Sequence, residues 1–191
     1  MPNLKGSRTE QNLLKAFAGE SQARNRYDFA AKVALKAGFH QISAIFEETA
    51  QNEKQHAKVF FRFLEGGMVE ITAAYPAGII DDTAGNLLAA AEGEHEEWTE
   101  LYPEFAKLAN AEGFPEVATA FTMIARVEKE HEARFRRLLD NVKNDTVFKK
   151  EAKVRWKCRQ CGHVHEGTEP PAKCPACAHP REHFEIAAEN Y

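Results

Sequence analysis

The sequence predicts a mainly α chain: a four-helix bundle followed by a small ribbon held by four cysteines. Three observations carry this. Apolar residues recur at steps of three and four over four long stretches, as on helices with one buried face. The motif Glu-x-x-His occurs inside two of those stretches, as EKQH at 53–56 and EKEH at 128–131. All four cysteines fall near the C-terminus, as the close pairs Cys158/Cys161 and Cys174/Cys177.

The chain has 191 residues, a formal charge of -4 and 43% hydrophobic residues. That is enough for one domain with a sizeable core and a smaller appendage. The mild acidity argues against nucleic acid as a partner, because binding phosphates needs a basic face. No apolar run reaches the roughly 18 residues that span a membrane. The start, MPNLKGSRTE, carries no apolar signal segment, so a cytoplasmic location is predicted.

The first helix is predicted over 7–36, with Ser7 or Thr9 as cap and Glu10 completing a capping box with Ser7. Leu13, Phe17, Glu20, Arg24, Tyr27 and Ala31 share its inner face, and Ala37-Gly38 stops it. The second runs over about 40–65, with Ile42, Phe46, Thr49, Glu53, His56, Phe60 and Phe63 aligned and Gly66-Gly67 beyond its end. Residues 66–82 hold no helical period. So long a connection is uncommon in a compact domain, but it fits the single crossover of a ferritin-like bundle.

A third helix is predicted over about 83–111, carrying Leu87, Ala90, Glu94, Glu97, Leu101, Phe105 and Leu108, with a kink or break at Pro103. Pro115 opens the fourth, which reaches about 143 with Val117, Phe121, Ile124, Glu128, His131, Phe135 and Leu138 in line. Residues 144–153 read as a linker or a ragged helix end. The division expected is a bundle over 1–148 and a metal-binding ribbon over 149–191, the latter too small to fold without a staple.

Each inner face is interrupted near its middle by Glu20, by Glu53 and His56, by Glu94 and Glu97, and by Glu128 and His131. A spacing of three puts two side chains one turn apart on one face. Buried carboxylates cost several kcal/mol each unless compensated, and two divalent cations compensate most of five negative charges. One Glu from each of two helices and Glu-x-x-His from the other two is the ligand set of such two-metal bundles. Oxygen and imidazole ligands suit iron or manganese.

Glu97 exceeds that minimal set, and is a spare ligand, a proton acceptor or an ordinary surface group. Tyr27 and Tyr102, about two turns from Glu20 and Glu94, either hydrogen-bond a ligating carboxylate or are plain core. Arg24, one turn from Glu20, is placed to neutralise a carboxylate. Glu47, Glu48, Glu92, Glu96, Glu130 and Glu132 fall off the inner faces and are expected in solvent, as is His95.

Cys158, Cys161, Cys174 and Cys177 have the spacing of two metal knuckles, which is preferred to a disulfide pairing in a chain without an export signal. Tetrahedral thiolates select zinc or iron, and spacing does not decide between them. A two-iron centre that cycles needs two electrons, and a single iron held by thiolates delivers them one at a time, which favours iron at the cysteines, with zinc as a substitute. His163 and His165 are read as surface or packing residues, and Trp156 and Phe184 as the ribbon's aromatic core.

Over essentially its full length the chain resembles the rubrerythrin family. The stretches that carry the likeness are AFAGESQARNRY, ETAQNEKQHAK, AEGEHEEWTELYPEFA and ARVEKEHEARF, with CRQCG and CPAC. The resemblance implies a ferritin-like di-iron domain, a rubredoxin-like domain and a peroxidase that reduces hydrogen peroxide to water. It implies that Glu53 and Glu128 bridge an oxo-bridged iron pair. It also implies that one iron exchanges Glu97 for His56 on redox change, making Glu97 the candidate proton donor. A homodimer is implied, with the four-cysteine iron of one subunit near the iron pair of the other. Electrons would come from a rubredoxin or an NAD(P)H-dependent reductase. Two rival readings are iron storage, and a zinc ribbon on a non-enzymatic metal-binding scaffold.

Overall fold

The computed structural model describes residues 2–189, so the outermost limits of the two expected domains lie outside the described residues. Five α-helices form the bundle: α1 (Arg8–Lys36), α2 (His40–Phe61), α3 (Thr83–Glu96), α4 (Tyr102–Ala111) and α5 (Pro115–Lys143). A five-residue π turn, Glu97–Leu101, joins α3 to α4, which together make the third rod of the bundle. α1 packs along α2, and α5 packs along α3 and α4. The crossover between the two pairs, 66–82, is without helix or strand, as its sequence predicts.

Helix ends follow local chemistry. The Ser7 hydroxyl accepts from the Glu10 N–H at 3.0 Å, while the Glu10 carboxylate accepts from Gly6 N–H at 2.7 Å. The capping box is present with its return bond displaced by one residue. Thr9 is no cap: its N–H and hydroxyl both donate to Glu112, at 2.9 and 2.6 Å, tying α1 to the end of α4. α2 ends four residues before its predicted limit. The N–H groups of Phe63 and Leu64 reach back only to the carbonyls of Phe60 and Phe61, so the helix tightens and stops.

The break in the third rod falls upstream of Pro103. Tyr102 N–H bonds the carbonyl of Glu97, five residues back. Pro103 has no N–H for the preceding turn, and it sits in the first turn of α4, where none is required. The ladder therefore widens before the proline rather than at it.

Two apolar clusters fill the bundle. One gathers Tyr27, Ala31, Ile42, Phe46, Leu87, Phe135 and Leu138. The other gathers Leu13, Phe60, Tyr102, Phe105, Phe121 and Ile124. Along every rod the expected metal-binding residues fall between the two clusters, so the polar layer has an apolar plug at each end.

The C-terminal ribbon has three antiparallel strands, β1 (Val154–Cys158), β2 (Val164–Gly167) and β3 (Phe184–Ile186), in the order β2-β1-β3. Trp156 and Phe184 are fully buried beside Cys158 and Cys174, as expected, and the Trp156 indole donates to the Gly167 carbonyl at 3.0 Å. So few buried side chains cannot hold a fold alone. The ribbon packs on the α1–α2 turn, where the His40 and His183 rings meet at 4.1 Å, and Phe148 of the connecting segment stacks on Phe39 at 6.3 Å.

Gly38 makes that turn at φ +84, and a Cβ there would lie 2.8 Å from the Glu182 Cγ of the ribbon. Gly38→Ala is therefore expected to cost about 1–2 kcal/mol from the left-handed backbone alone, a fall in melting temperature of roughly 2–8 °C. Gly66→Ala, with φ +78 and open space around it, serves as the control for strain. Thermal unfolding of both checks this: Gly38→Ala must lose at least as much as Gly66→Ala if the ribbon docks here.

Candidate metal centre

Four rods deliver six side chains to one buried layer. α1 supplies Glu20, α2 supplies Glu53 and His56, α3 supplies Glu94, and α5 supplies Glu128 and His131. All six are buried, the four carboxylates at 0–1% exposure. They form two overlapping groups: Glu20, Glu53, His56 and Glu128, and Glu53, Glu94, Glu128 and His131. Within each group one ligand atom per residue lies within 4.8 Å of the others. Glu53 and Glu128 belong to both. His56 Nδ1 lies 2.8 Å from Glu53 Oε2 and 2.9 Å from Glu128 Oε1. His131 Nδ1 lies 2.9 Å from Glu128 Oε2 and 3.2 Å from Glu53 Oε1.

The layer fits a pair of cations. Glu20 Oε2, Glu53 Oε1, Glu94 Oε2, both Glu128 oxygens and His131 Nδ1 are buried without a well-directed hydrogen bond. Buried polar groups are nearly always satisfied. Six orphaned ligand atoms facing one another are what two shared cations would satisfy.

The two tyrosines hold the outer carboxylates. Tyr27 donates to Glu94 Oε1 at 2.6 Å and Tyr102 donates to Glu20 Oε1 at 2.5 Å. Each phenol crosses from one half of the bundle to the other. Burial, then the nearby carboxylates, push both phenols well above their usual pKa, so each stays a donor.

Metal-free, the layer is electrostatically loaded. Burial, then the charges of Glu97, Glu128 and Glu53, push Glu20 well above the carboxylate range. Burial and the Glu53 charge push Glu94 up to about 8. Burial alone would lower both histidines, but the closeness of Glu128 and Glu53 outweighs it and lifts His56 to about 9 and His131 to about 12. Burial would raise Glu53, yet His131 and His56 hold it below its usual value.

Glu97 stands apart. It is half-buried on the π turn and belongs to neither close group, so the structure gathers six of the seven candidate ligands. It lines a recess of about 270 Å3 shared with Arg26, Tyr75, Leu101 and Tyr102. Burial and the charges of Glu94, Glu128 and Glu53 raise its pKa well above the ordinary, against the pull of Arg26.

Two expectations are corrected. Arg24 makes no ion pair among the described residues, and its Nε is buried without a partner. The cation beside Glu97 is Arg26, which bonds Gln22 and points toward Gly93, where the lack of a side chain leaves room for the guanidinium. Glu132 is buried rather than solvated. Its carboxylate accepts from the Trp98 indole at 2.5 Å and from Arg136 Nε at 2.6 Å, and His95 Nδ1 lies 3.1 Å away. Glu47, Glu48, Glu92, Glu96, Glu130 and His95 are exposed, as expected.

The sequence held a sign of the π turn. Tyr27 follows Glu20 by seven positions, but Tyr102 follows Glu94 by eight. Both tyrosines make the same kind of bond, so the third rod must absorb one extra residue between them.

In the ribbon, Sγ–Sγ distances are 3.8 Å for Cys158–Cys177 and 3.7 Å for Cys161–Cys174, and all four sulfurs form one group. A disulfide needs about 2.05 Å. The edge of a tetrahedron with metal–sulfur bonds of about 2.3 Å is about 3.8 Å, so the geometry fits one metal ion. Burial opposes it, but N–H groups of Cys177 and Ala176 bring Cys174 down to about 7. Though the His179 N–H lowers it, burial and the Cys161 sulfur push Cys177 up to about 12. A cation that replaces these protons removes the conflict.

A long-crossover helical bundle with a buried carboxylate–histidine layer, followed by a four-cysteine ribbon, defines a two-part metalloprotein of the ferritin-like and rubredoxin-like kind. The family profile described as rubrerythrin matches residues 11–139, and the one described as the rubredoxin-like domain of rubrerythrin matches 156–185. The chain is 57% identical to the rubrerythrin of Nitratidesulfovibrio vulgaris, over the full length of both. It is also 57% identical to that of Porphyromonas gingivalis, covering 99% of this chain and 94% of the relative. The chain belongs to the rubrerythrin family. A solved structure of nigerythrin in its fully reduced, all-ferrous state is similar at a TM-score of 0.64 and 30% identity, covering 95% of this chain and 87% of that one. A Mycobacterium tuberculosis bacterioferritin, 17% identical with a TM-score of 0.62 over 73% of this chain and 89% of its own, shares the bundle fold alone. No helix among the described residues is long and apolar enough to cross a membrane.

The raised groups set a sign for pH. Glu94 and His56 are raised from 4.5 and 6.5 to about 8 and about 9. Their contribution to the metal-free fold is full below pH 4.5 and 6.5 respectively, and is lost as pH rises through 8 and 9. The metal-free chain is therefore expected to melt at a lower temperature at pH 8.5 than at pH 6. Divalent cations should abolish that trend and bind more tightly as pH rises, because they displace those protons. Calorimetry with and without metal checks both statements.

Proposed function

We propose that the protein is a non-haem di-iron peroxidase that reduces hydrogen peroxide to water, with the four-cysteine site relaying electrons to the iron pair. The observation that carries this reading is the coexistence of a two-cation layer and a separate tetrathiolate site on one chain. In this reading the bundle is residues 1–148 and the relay domain 149–191. Glu20, Glu53, His56, Glu94, Glu128 and His131 hold two irons, and Cys158, Cys161, Cys174 and Cys177 hold a third. The all-ferrous state of the nigerythrin relative supports iron over manganese, and zinc can substitute at the cysteines.

Iron held in the layer would supply the two electrons by which one peroxide and two protons become two waters. The protein's own side chains do the rest. Glu97, set beside the six gathered ligands and lining the recess, receives and returns a proton at its carboxylate, and would be the further ligand able to stand in for His56 were iron held there. Tyr27 and Tyr102 fix Glu94 and Glu20 through their phenol protons, so these carboxylates keep their directions as charge in the layer changes. The apolar clusters at both ends exclude bulk water, and the recess gives a small peroxide a way to Glu97.

The ribbon docks at the start of α2, thirteen residues from Glu53, which is about 20 Å along the helix. That separation within one chain supports a homodimer in which one subunit's thiolate iron serves the partner's layer. A cytoplasmic setting and a rubredoxin or NAD(P)H-dependent reductase as donor complete the reading. Iron storage, the rival, has no use for a reducing relay.

Anaerobic stopped-flow absorbance of the reduced protein mixed with peroxide tests it. Rapid oxidation of both the thiolate iron and the iron pair is expected. Slow reaction with peroxide, with rapid oxygen-driven accumulation of iron, would favour storage. Glu97→Ala should keep both bundle metals and lower kcat by about 10²–10⁴, the usual range for a lost proton-transfer group.

A further inference from the structure

The third rod carries one more residue between Glu94 and Tyr102 than α1 carries between Glu20 and Tyr27. The excess is taken up in the π turn Glu97–Leu101, and Tyr102 keeps its bond to Glu20 because of it. Glu97 and Trp98 are the first two residues of that turn. At the corresponding place three residues after Glu20, α1 has only Ala23. The turn that takes up the extra residue thus begins at the carboxylate that stands beside the layer.

A widened turn has poorer internal hydrogen bonding than an α-helix and needs outside support to hold one shape. No residue of this turn is fully buried. Support comes from α5. The buried Glu132 carboxylate accepts the Trp98 indole N–H at 2.5 Å, and Glu132 is itself held by Arg136 at 2.6 Å and by His95 at 3.1 Å. The Lys129 amine lies 5.2 Å from the centre of the same indole. The Glu132 carboxylate has no polar contact with either group of layer ligands among the described residues. A carboxylate desolvated this far costs free energy unless it is satisfied, and of its three partners Trp98 lies on the turn that carries Glu97, His95 on α3 just before it and Arg136 on α5.

We propose that Glu132 is a positioning residue for Glu97, acting through the Trp98 indole to hold the π turn so that the Glu97 carboxylate leaves the backbone toward the layer. This rests on the reading of Glu97 as the proton-carrying, exchanging ligand. Trp98 is the next residue along, so fixing its ring fixes the peptide from which Glu97 projects. The network lies between α5 and the third rod, off the inner face of α5, and leaves the six gathered ligands to their own contacts.

The test is a double-mutant cycle on the iron-loaded, full-length protein. Trp98→Phe keeps the ring and removes the N–H. Glu132→Ala removes the acceptor, and Glu132→Gln keeps an oxygen that can accept. Trp98→Phe and Glu132→Ala are each expected to lower peroxide kcat about tenfold, a typical effect of losing an outer partner of a metal-site residue, with KM little changed. Glu132→Gln should recover most of the loss. In a Glu97→Gln background the same changes should cost about twofold or less, since residues acting through one another are not additive.

The absorption spectrum of the oxidised iron pair gives a readout apart from turnover. Trp98→Phe and Glu132→Ala should move it toward that of Glu97→Gln. Full additivity in turnover, or a spectrum unmoved by either variant, would overturn the proposal. If the unmutated protein showed no peroxide turnover, the peroxidase reading would fall. The spectra would then still decide whether Glu132 positions Glu97.

Discussion

Four carboxylates buried in one layer are the constraint on which the rest of the structure depends. Glu20, Glu53, Glu94 and Glu128 are almost wholly removed from water, with Glu97 pressing on them from the side. Removing one charge from water costs several kcal/mol, and like charges at this range add to it. The metal-free fold meets the cost by holding protons on Glu20 and Glu94 and charging the two histidines. Cations meet it more completely, since they also satisfy the orphaned oxygens. The aromatic clusters above and below then act as walls, and the two tyrosines as struts across the bundle.

Pairwise symmetry organises the layer. α1 with α2 offers Glu, then Glu-x-x-His, and α3 with α5 offers the same order. Glu53 and Glu128 belong to both ligand groups, and each tyrosine braces the glutamate of the opposite half. The π turn breaks that symmetry. It places one further carboxylate on one side of the layer only, next to the recess.

Much of this was legible in the sequence. The periodicity gave four rods with ends within a few residues, because apolar faces and Gly stops are local signals. The helical phases predicted seven ligands, of which the six other than Glu97 lie together, and the cysteine spacing predicted sulfurs at tetrahedral distances. What was missed depends on contacts between rods. Glu132 lies off the inner face of α5, and only the bulge of the π turn brings Trp98 over it. Arg24 lies on the inner face of α1 by phase, yet Arg26 is the cation beside Glu97, because Gly93 opens space for it. Pro103 announced a break, but the one-residue excess between Glu94 and Tyr102 located it.

In the proposed reading one chain holds two metal sites of unlike ligand chemistry, both for iron. Mössbauer spectroscopy of the full-length protein reconstituted anaerobically with iron-57 tests it directly. Three irons per chain are expected in a 2:1 ratio: a pair in an oxygen and nitrogen environment, and one with the signature of four thiolates. A single iron environment, or a bundle that takes up only one iron while its carboxylate layer stays folded, would contradict it.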